Sequence, residues 1–454
     1  MTGPANPWAS CASTSYHRIM RPVEQNGSRA GSPAQIWRLN TTMSYDGIAC
    51  RRCRGDFPSL ARKVNGQPIA FLDGPGGTQT PETVLAAISD SYIERNANFD
   101  GMFSTSLDVT AAVAATRNAV ADFLGADGGH TISFGANMTT LNFSLSRALL
   151  RTMKPGDEAV ITQLDHEANR GPWLQLEKDG IIVREVEMDR DGRLRTDELA
   201  KLINERTRVV AIGIASNSLG TVTNIGPARE LCDSVGAYLV VDAVHYAAHL
   251  PLDVTALGAD FLLCSAYKFY GPHVGILYCR PGLLDELDTD RLRTQKGTAP
   301  YRIETGTLNH AAIAGVAAAI DYIAGWGKGD SRRERIISAM SAVHRYELQL
   351  ACYYSDEVKQ IDGVKVWGPD FDDEPRAPTV SISVAGRRPE QIARFLAEQG
   401  LQVWHGHFYA VKVLEVLGLT GQGGLLRAGI SMYNTREEID RLLSGIELLV
   451  GGTR

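Results

Sequence analysis

No apolar run in this 454-residue chain approaches the ~20 residues that a bilayer-spanning helix needs, so the sequence does not read as an integral membrane protein. Excess positive charge is missing too. The 46 Lys and Arg residues face 52 Asp and Glu, giving a formal charge of −6, which argues against nucleic acid or an anionic membrane surface as partner. Cysteine is sparse. The seven cysteines (Cys11, Cys50, Cys53, Cys232, Cys264, Cys279 and Cys352) are odd in number and scattered, which speaks against a disulfide framework and for a reducing cytoplasm. Cys50 and Cys53 form a CxxC in GIACRRCRG. Neither a second CxxC nor paired histidines complete a four-ligand zinc site, so the spacing reads as chance and no metal is expected.

What is present is an ordinary globular composition, 44% hydrophobic and 22% charged, in a chain long enough for two to three domains. The first 42 residues differ from the rest. They are rich in Gly, Pro, Ser and Ala without helical or strand periodicity. They read as a disordered extension or as residues ahead of a start at Met43, with a faint transit-peptide character. From about residue 70, short apolar runs alternate with amphipathic segments. Strands are expected at IAFLD (69–73), TISF (131–134), AVIT (159–162), IIVREVEM (181–188), VVAIGIA (209–215), YLVVDA (238–243), FLLCS (261–265) and GILYC (275–279). Helices are expected after a Thr80 cap with Pro81 at the first helical position, and over 109–125, 195–204 and 225–236. That alternation implies a mostly parallel sheet covered on both faces. Beyond about residue 325 the pattern changes to a long helix (331–352), a strand TVSISV (379–384) and helices at 388–399 and 435–450, which suggests a smaller α+β domain.

Ligands of an open parallel sheet gather at the carboxyl ends of its strands. Those ends here read GANMTTLN, QLDHEAN, SNSLGT, VVDAVH and LCSAYKFYGP. They hold an acid at a strand end (Asp242), a lysine set between aromatics (Lys268), a histidine, an asparagine and a helix start of small residues. A lysine beside an apolar strand keeps part of its population uncharged and nucleophilic. Together these are the parts that pyridoxal phosphate needs: an amine for its aldehyde, an acid for its ring nitrogen and a helix N-terminus for its phosphate.

With those residues the chain resembles the class V aminotransferases, a family of fold-type I pyridoxal-phosphate enzymes, and within them the cysteine desulfurase-like branch. The resemblance spans roughly residues 56–450 and is strongest in FLDGPGGTQTP, LDHEANRGPW, SNSLGT, VVDAVHYAAHLPLDVTALGADFLLCSAYKFYGP and LLRAGISMYNTREEID. It implies an α/β fold with a large domain built on a mostly parallel seven-stranded sheet and a smaller α+β domain, usually as a homodimer. The implied division is an extension over 1–42, a segment over 43–80 packing with the small domain, a cofactor domain over 81–325 and a small domain over 326–454. By resemblance, Lys268 bears the cofactor and moves the substrate Cα proton, Asp242 pairs the pyridine nitrogen and His166 stacks on the ring. Asn217 and His245 hydrogen-bond the phenolic oxygen, a place where the family usually has Gln for the latter. Ala136 and Asn137 open the phosphate-binding helix, and Ser265 and Tyr267 complete the cup. Arg427 grips the substrate carboxylate, with Gly76, His407 and Tyr409 facing the substrate.

One departure stands out. The branch carries a catalytic cysteine ahead of that arginine, whereas this chain reads VWHGHFYA over 403–410, with Tyr409 in the cysteine's place. A phenol cannot accept sulfur as a persulfide, and Cys264, Cys279 and Cys352 read as buried core thiols. The expectation is therefore an enzyme that labilises the Cα–H bond of an amino acid, foremost by elimination of the C–S lyase type. His405, His407 and Tyr409 are candidates for protonating a leaving group. Transamination or epimerisation, desulfuration through another thiol, and a non-catalytic cofactor-binding role are the alternatives.

Overall fold

The computed structural model describes residues 50–372 and 375–451, so the stretch read as an extension, residues 1–42, lies outside the described residues. Seven strands form the main sheet: β1 (Ile132–Gly135), β2 (Glu158–Thr162), β3 (Ile182–Val186), β4 (Thr207–Gly213), β5 (Tyr238–Asp242), β6 (Phe261–Ser265) and β7 (Gly275–Cys279). Their order is β1-β7-β6-β5-β4-β2-β3. β7 runs antiparallel to β1 and β6, and every other pairing is parallel.

The apolar runs are continuous because both faces of the sheet are covered. Alternate residues go to opposite sides. Val210, Ile212, Val241, Leu262 and Cys264 pack with the helices α2 (Ser104–Leu124), α6 (His310–Gly325) and α7 (Arg332–Val358). Val209, Ala211, Val240, Phe261 and Leu263 pack with α3 (Met138–Leu150) and α4 (Glu167–Leu174). This two-sided burial is the fold class that the alternation of strands and helices implies.

A second sheet has four antiparallel strands, β8 (Val364–Trp367), β9 (Thr379–Val384), β10 (Trp404–Gly406) and β11 (Leu425–Gly429), in the order β8-β9-β11-β10. Its core is shared with α7, α8 (Pro389–Glu398) and α9 (Arg436–Gly451), and with Ala70 and Leu72 from the far end of the chain. Ala70–Phe71 pairs in parallel with Leu401–Gln402, which draws the N-terminal segment against this sheet.

Local chemistry fixes several boundaries. α7 starts at a capping box, in which Ser331 Oγ accepts from the Glu334 amide at 3.1 Å and the Glu334 carboxylate accepts from the Ser331 amide at 2.9 Å. The helix α1 (Glu82–Glu94) begins one residue later than the Thr80-Pro81 pattern suggests. Pro81 itself is the cap, extended at φ −73°, and Thr80 does not cap it. The expected helix over 195–204 shrinks to a 3₁₀ turn, Thr196–Glu198, and a single helical turn, Leu199–Leu202. Asn204 and Thr207 exchange side-chain bonds with the backbone there (Asn204 N to Thr207 Oγ1, 3.0 Å) and turn the chain into β4. The expected strand over 69–73 is two residues long, followed by a lone bridge from Asp73 to Gly429.

β1 sits at the edge of the main sheet and is held from outside by Glu304. One carboxylate oxygen accepts from the Phe134 amide at 2.7 Å and from Arg117 Nη1 at 2.7 Å; the other takes Arg117 Nη2 at 2.8 Å. Both side chains are about 5% exposed, so the pair is desolvated and each charge depends on the other. Glu304→Gln leaves the Arg117 charge uncompensated inside the protein. We expect it to lower the urea-unfolding free energy of the apoprotein by about 3–5 kcal/mol; a change within about 0.5 kcal/mol would show that β1 does not depend on this pair.

Candidate active site

The strand ends assemble one cleft. Lys268, Asp242, His166, Asn137, Asn217, His245, Ser265 and Tyr267 all line it. Asp242 is the last residue of β5 and Ser265 the last of β6. Lys268 closes a 3₁₀ turn, Ala266–Lys268, that follows directly on β6. It is 8% exposed, and its Nζ donates to the Pro75 carbonyl and lies 4.7 Å from the centre of the Tyr267 ring. Burial, with the nearby Arg427 charge, lowers its pKa to about 7, offset in part by Asp73 and Asp242. A substantial fraction of free amine at neutral pH follows.

Asp242 accepts from the Val244 amide at 2.9 Å. Burial raises its pKa to about 7, and Asp165 adds to the shift. An acid in that state gains most from a cationic partner placed against it. Asp165 is itself raised to about 6 by burial, held by Asn169 Nδ2 at 2.8 Å and the Gly213 amide at 2.9 Å. His166 caps α4, its Nδ1 accepting from the Ala168 amide at 2.9 Å, so its ring proton belongs on Nε2. Burial first, then Lys268, Arg427 and His407, hold its pKa down at about 4. The ring is neutral and lines the cleft.

Asn137 caps α3 with a capping box to Thr140, and Ser265 Oγ accepts from the Met138 amide at 3.1 Å. β7 passes so close to this helix start that a Cβ on Gly275 would sit 2.3 Å from the Asn137 carbonyl carbon. Tyr267 is stacked face to face on His273, with centroids 4.6 Å apart. Asn217 donates to the Phe408 carbonyl at 2.9 Å, and His245 Nε2 pairs with Thr379 Oγ1 at 3.0 Å.

Arg427 lies on β11, 2% exposed. Its Nη2 meets Asp73 Oδ1 at 2.7 Å, its Nη1 donates to the Asn217 carbonyl at 3.0 Å, and its guanidinium sits 4.5 Å over the Phe408 ring. Gly76 turns tightly over the same aspartate, where a Cβ would fall 2.1 Å from Asp73 Oδ2. Asp73 and Phe408 are partners that the strand-end reading does not single out. Asp73 lies inside FLDGPGG, where an acid before a turn of three glycines and a proline was the available signal. Phe408 had none, because its inward direction comes from left-handed backbone at 408 and 409 (φ 54° and 56°).

That same geometry sends Tyr409 outward, 64% exposed, with its ring 5.6 Å from His166 and 5.7 Å from His407. Its carbonyl accepts from the Glu167 amide at 2.7 Å. His405 is exposed on β10, and it, His407 and Tyr409 line a separate depression with Arg388 and Trp404 rather than the cleft of Lys268 and Asp242. Of the three loop candidates, Tyr409 is the one whose ring meets His166; His407 reaches it through Tyr409, and His405 has no ring contact with it. No cysteine lines the cleft among the described residues. Cys264 and Cys279 are core thiols with raised pKa values, whereas Cys352, expected in the core, is only half-buried on α7.

The residues present fit pyridoxal phosphate. Two of the lining side chains keep a buried polar atom without a protein partner, Asn217 Oδ1 and His245 Nδ1, beside a desolvated amine, an acid primed for a cation and the start of α3, which lines the cleft at Asn137, Met138 and Thr139. No group of side chains suited to a metal ion occurs among the described residues, and none of their helices is long and apolar enough to cross a membrane.

Comparison with known proteins agrees. The sequence pattern described as aminotransferase class-V matches residues 70–442. The cysteine desulfurase of Pectobacterium atrosepticum is 32% identical over 89% of this chain and 98% of its own length. That of Yersinia pseudotuberculosis is 32% identical over 87% and 97%. Among solved structures, the apo cysteine desulfurase from Thermococcus onnurineus superposes with a TM-score of 0.80 at 28% identity, covering 89% of this chain and 98% of that one. The cysteine desulfurase CsdA from Escherichia coli, in an S-sulfonic acid form, gives 0.77 at 26%, covering 88% and 98%.

The lowered pKa of Lys268 has a kinetic consequence. Only the free amine attacks an aldehyde, so capture of pyridoxal phosphate by the apoprotein should accelerate as pH rises through about 7 and then level off. Borohydride trapping and the mass of the Lys268 peptide measure it. A rate that climbs instead toward the ordinary lysine value of about 10.4 would mean that the amine is not desolvated in solution.

Proposed function

This chain belongs to the class-V aminotransferase family, and on that footing we propose that it acts on the Cα–H bond of an amino acid bearing a leaving group on Cβ, eliminating that group without a persulfide. It is a pyridoxal-phosphate-dependent enzyme of the cysteine desulfurase-like kind. The observation that carries the finer reading is the loop that follows β10, residues 407–410: it brings a phenyl ring under Arg427 and a phenol beside His166, where a sulfur carrier would need a thiol.

Each residue's role follows from its setting. We assign Lys268 to the cofactor aldehyde, Asp242 to its ring nitrogen and His166 to its face. The start of α3, capped by Asn137 with Ala136 just before it, would take the phosphate together with Ser265 and Tyr267; Asn217 and His245 would take the phenolic oxygen. Bound there, pyridoxal phosphate supplies an electron sink that weakens the bonds at the substrate Cα. Arg427 offers a buried guanidinium for the substrate carboxylate, and the Asp73 pair keeps that guanidinium in place. Lys268 Nζ, uncharged in part at neutral pH, takes the Cα proton. Tyr409 Oη, with His407 behind it, is the donor we assign to the departing atom, and the Tyr409 ring shields His166 from water. A cytoplasmic homodimer completes this reading, supported by the family resemblance and the spread of unpaired cysteines.

For L-cysteine the overall change is cysteine plus water to pyruvate, ammonia and hydrogen sulfide, with the C–S bonding pair leaving on sulfur. Incubation with L-cysteine and other β-substituted amino acids should yield pyruvate and ammonia in equal amounts. Alanine together with protein-bound persulfide would sink the proposal, and a keto acid retaining the β-substituent would indicate transamination instead. Tyr409→Phe should lower kcat at least about tenfold while leaving cofactor binding intact; an unchanged kcat would remove Tyr409 from the chemistry and leave it as a cover.

A further inference from the structure

Behind the cleft stand three buried groups that the chemistry above does not use fully. His245 forms part of the cleft wall, tied to Thr379 on β9. Four residues on, His249 packs against its ring, with centroids 5.0 Å apart and planes at 79°. His249 Nδ1 in turn lies 2.7 Å from Oε2 of Glu347, midway along α7. Their exposures are 3, 1 and 0%. The row therefore runs from the cleft wall into the helix that both sheets share.

The protonation of the row follows from its surroundings. A carboxylate with no water and one neutral hydrogen-bond partner pays a large desolvation cost, which the protonated acid avoids. Burial holds Glu347 well above the usual carboxylate range. Burial, then the Lys268 charge, lowers His249 to about 3. For His245 the causes are burial, His249, Lys268 and Arg427, all in the same direction. The other titratable neighbours do not oppose this. Tyr270, which feels Glu347, and Tyr433 are phenols raised by burial, and His344, next to His249, is itself lowered to about 4. Three polar atoms along the row have no protein partner, His245 Nδ1, His249 Nε2 and Glu347 Oε1. A proton on Glu347 and one on His249 Nε2 is the arrangement in which the 2.7 Å contact joins a donor to an acceptor and leaves no charge in the interior.

We propose that Glu347 is a positioning residue of the active site: as a neutral acid it donates to His249 Nδ1, fixes the His249 proton on Nε2, and so holds His245 against the cleft as an oriented, uncharged hydrogen-bonding group. This rests on reading the cleft as the cofactor pocket. It extends that site by two residues, 249 and 347, which line no part of it. It also explains why a histidine serves at 245: kept neutral, it can bond an oxygen of the cofactor without adding a cation beside Lys268 and Arg427.

The test uses the full-length protein with ¹⁵N-labelled histidine. Long-range proton–nitrogen correlations report each ring's tautomer without any cofactor. His249 should be the neutral Nε2–H form throughout the pH range in which the protein is folded. Glu347→Gln should preserve that form, because the amide NH₂ donates in the same place, and should bind pyridoxal phosphate within about twofold of the parent. Glu347→Met, similar in size but without a donor, should give mixed tautomers and bind about tenfold more weakly, the worth of one hydrogen bond. A doubly protonated or Nδ1–H His249 would overturn the proposal, and so would Glu347→Gln losing as much affinity as Glu347→Met. If Glu347→Met fails to fold, the parent tautomer and Glu347→Gln still decide. If the parent protein takes up no pyridoxal phosphate, the reading of the cleft fails, while the His249 tautomer still judges Glu347.

Discussion

The pair between Asp73 and Arg427 is the contact on which the rest of the site depends. Arg427 is fully desolvated on β11 and would be prohibitive there without an anion at 2.7 Å. Asp73 is delivered by a segment more than 350 residues away in the chain, and that segment does more than neutralise charge. Its next turn presents the Pro75 carbonyl to Lys268 Nζ, and Thr78 bonds the Tyr267 carbonyl through both its amide and its hydroxyl. One short stretch thereby ties the strand of the second sheet that holds the guanidinium to the turn of the first that holds the amine. Tight glycine turns are needed because the backbone folds directly over the aspartate, leaving no room for a Cβ at 76.

Desolvation then does to the titratable groups what their chemistry needs, and does it in opposite directions. It lowers Lys268 and His166 and raises Asp242, so amine, imidazole and carboxyl all move toward their uncharged forms in the absence of a bound partner. A cationic ring nitrogen placed against Asp242 and an anionic substrate placed against Arg427 would both be welcomed by such a cleft. The same low-polarity interior extends behind the wall to His249 and Glu347, where it favours a neutral hydrogen-bonded pair over an ion pair. Groups of opposite charge type are thus governed by one physical quantity, the loss of water.

Much of the fold was legible in the sequence, and for a clear reason. Strands buried on both faces must be apolar at every position, and FLLCS or VVAIG cannot be read otherwise. Strand TVSISV falls on β9 residue for residue. Where polar side chains compete with the backbone the reading failed: Asn204 and Thr207 cut short the expected helix over 195–204. Of the site residues, those at strand ends share the cleft because strand ends must, given a parallel sheet. Phe408 and Glu347 were not legible as neighbours of the site, and Asp73 was marked only by its glycine-rich turn, since each comes from a different segment and arrives through tertiary packing.

The sequence by itself determined the sheet, the positions of Lys268 and Asp242 at its carboxyl edge, and the lack of a cysteine in the 403–410 loop, because period, strand order and residue type are local properties. Only the tertiary structure decided which charges meet. It placed Asp73 against Arg427, turned Phe408 inward and Tyr409 outward by two left-handed residues, and enclosed Glu347 with His249. Those choices depend on where water is excluded, and that is a property of the packed whole, which no stretch of sequence carries alone.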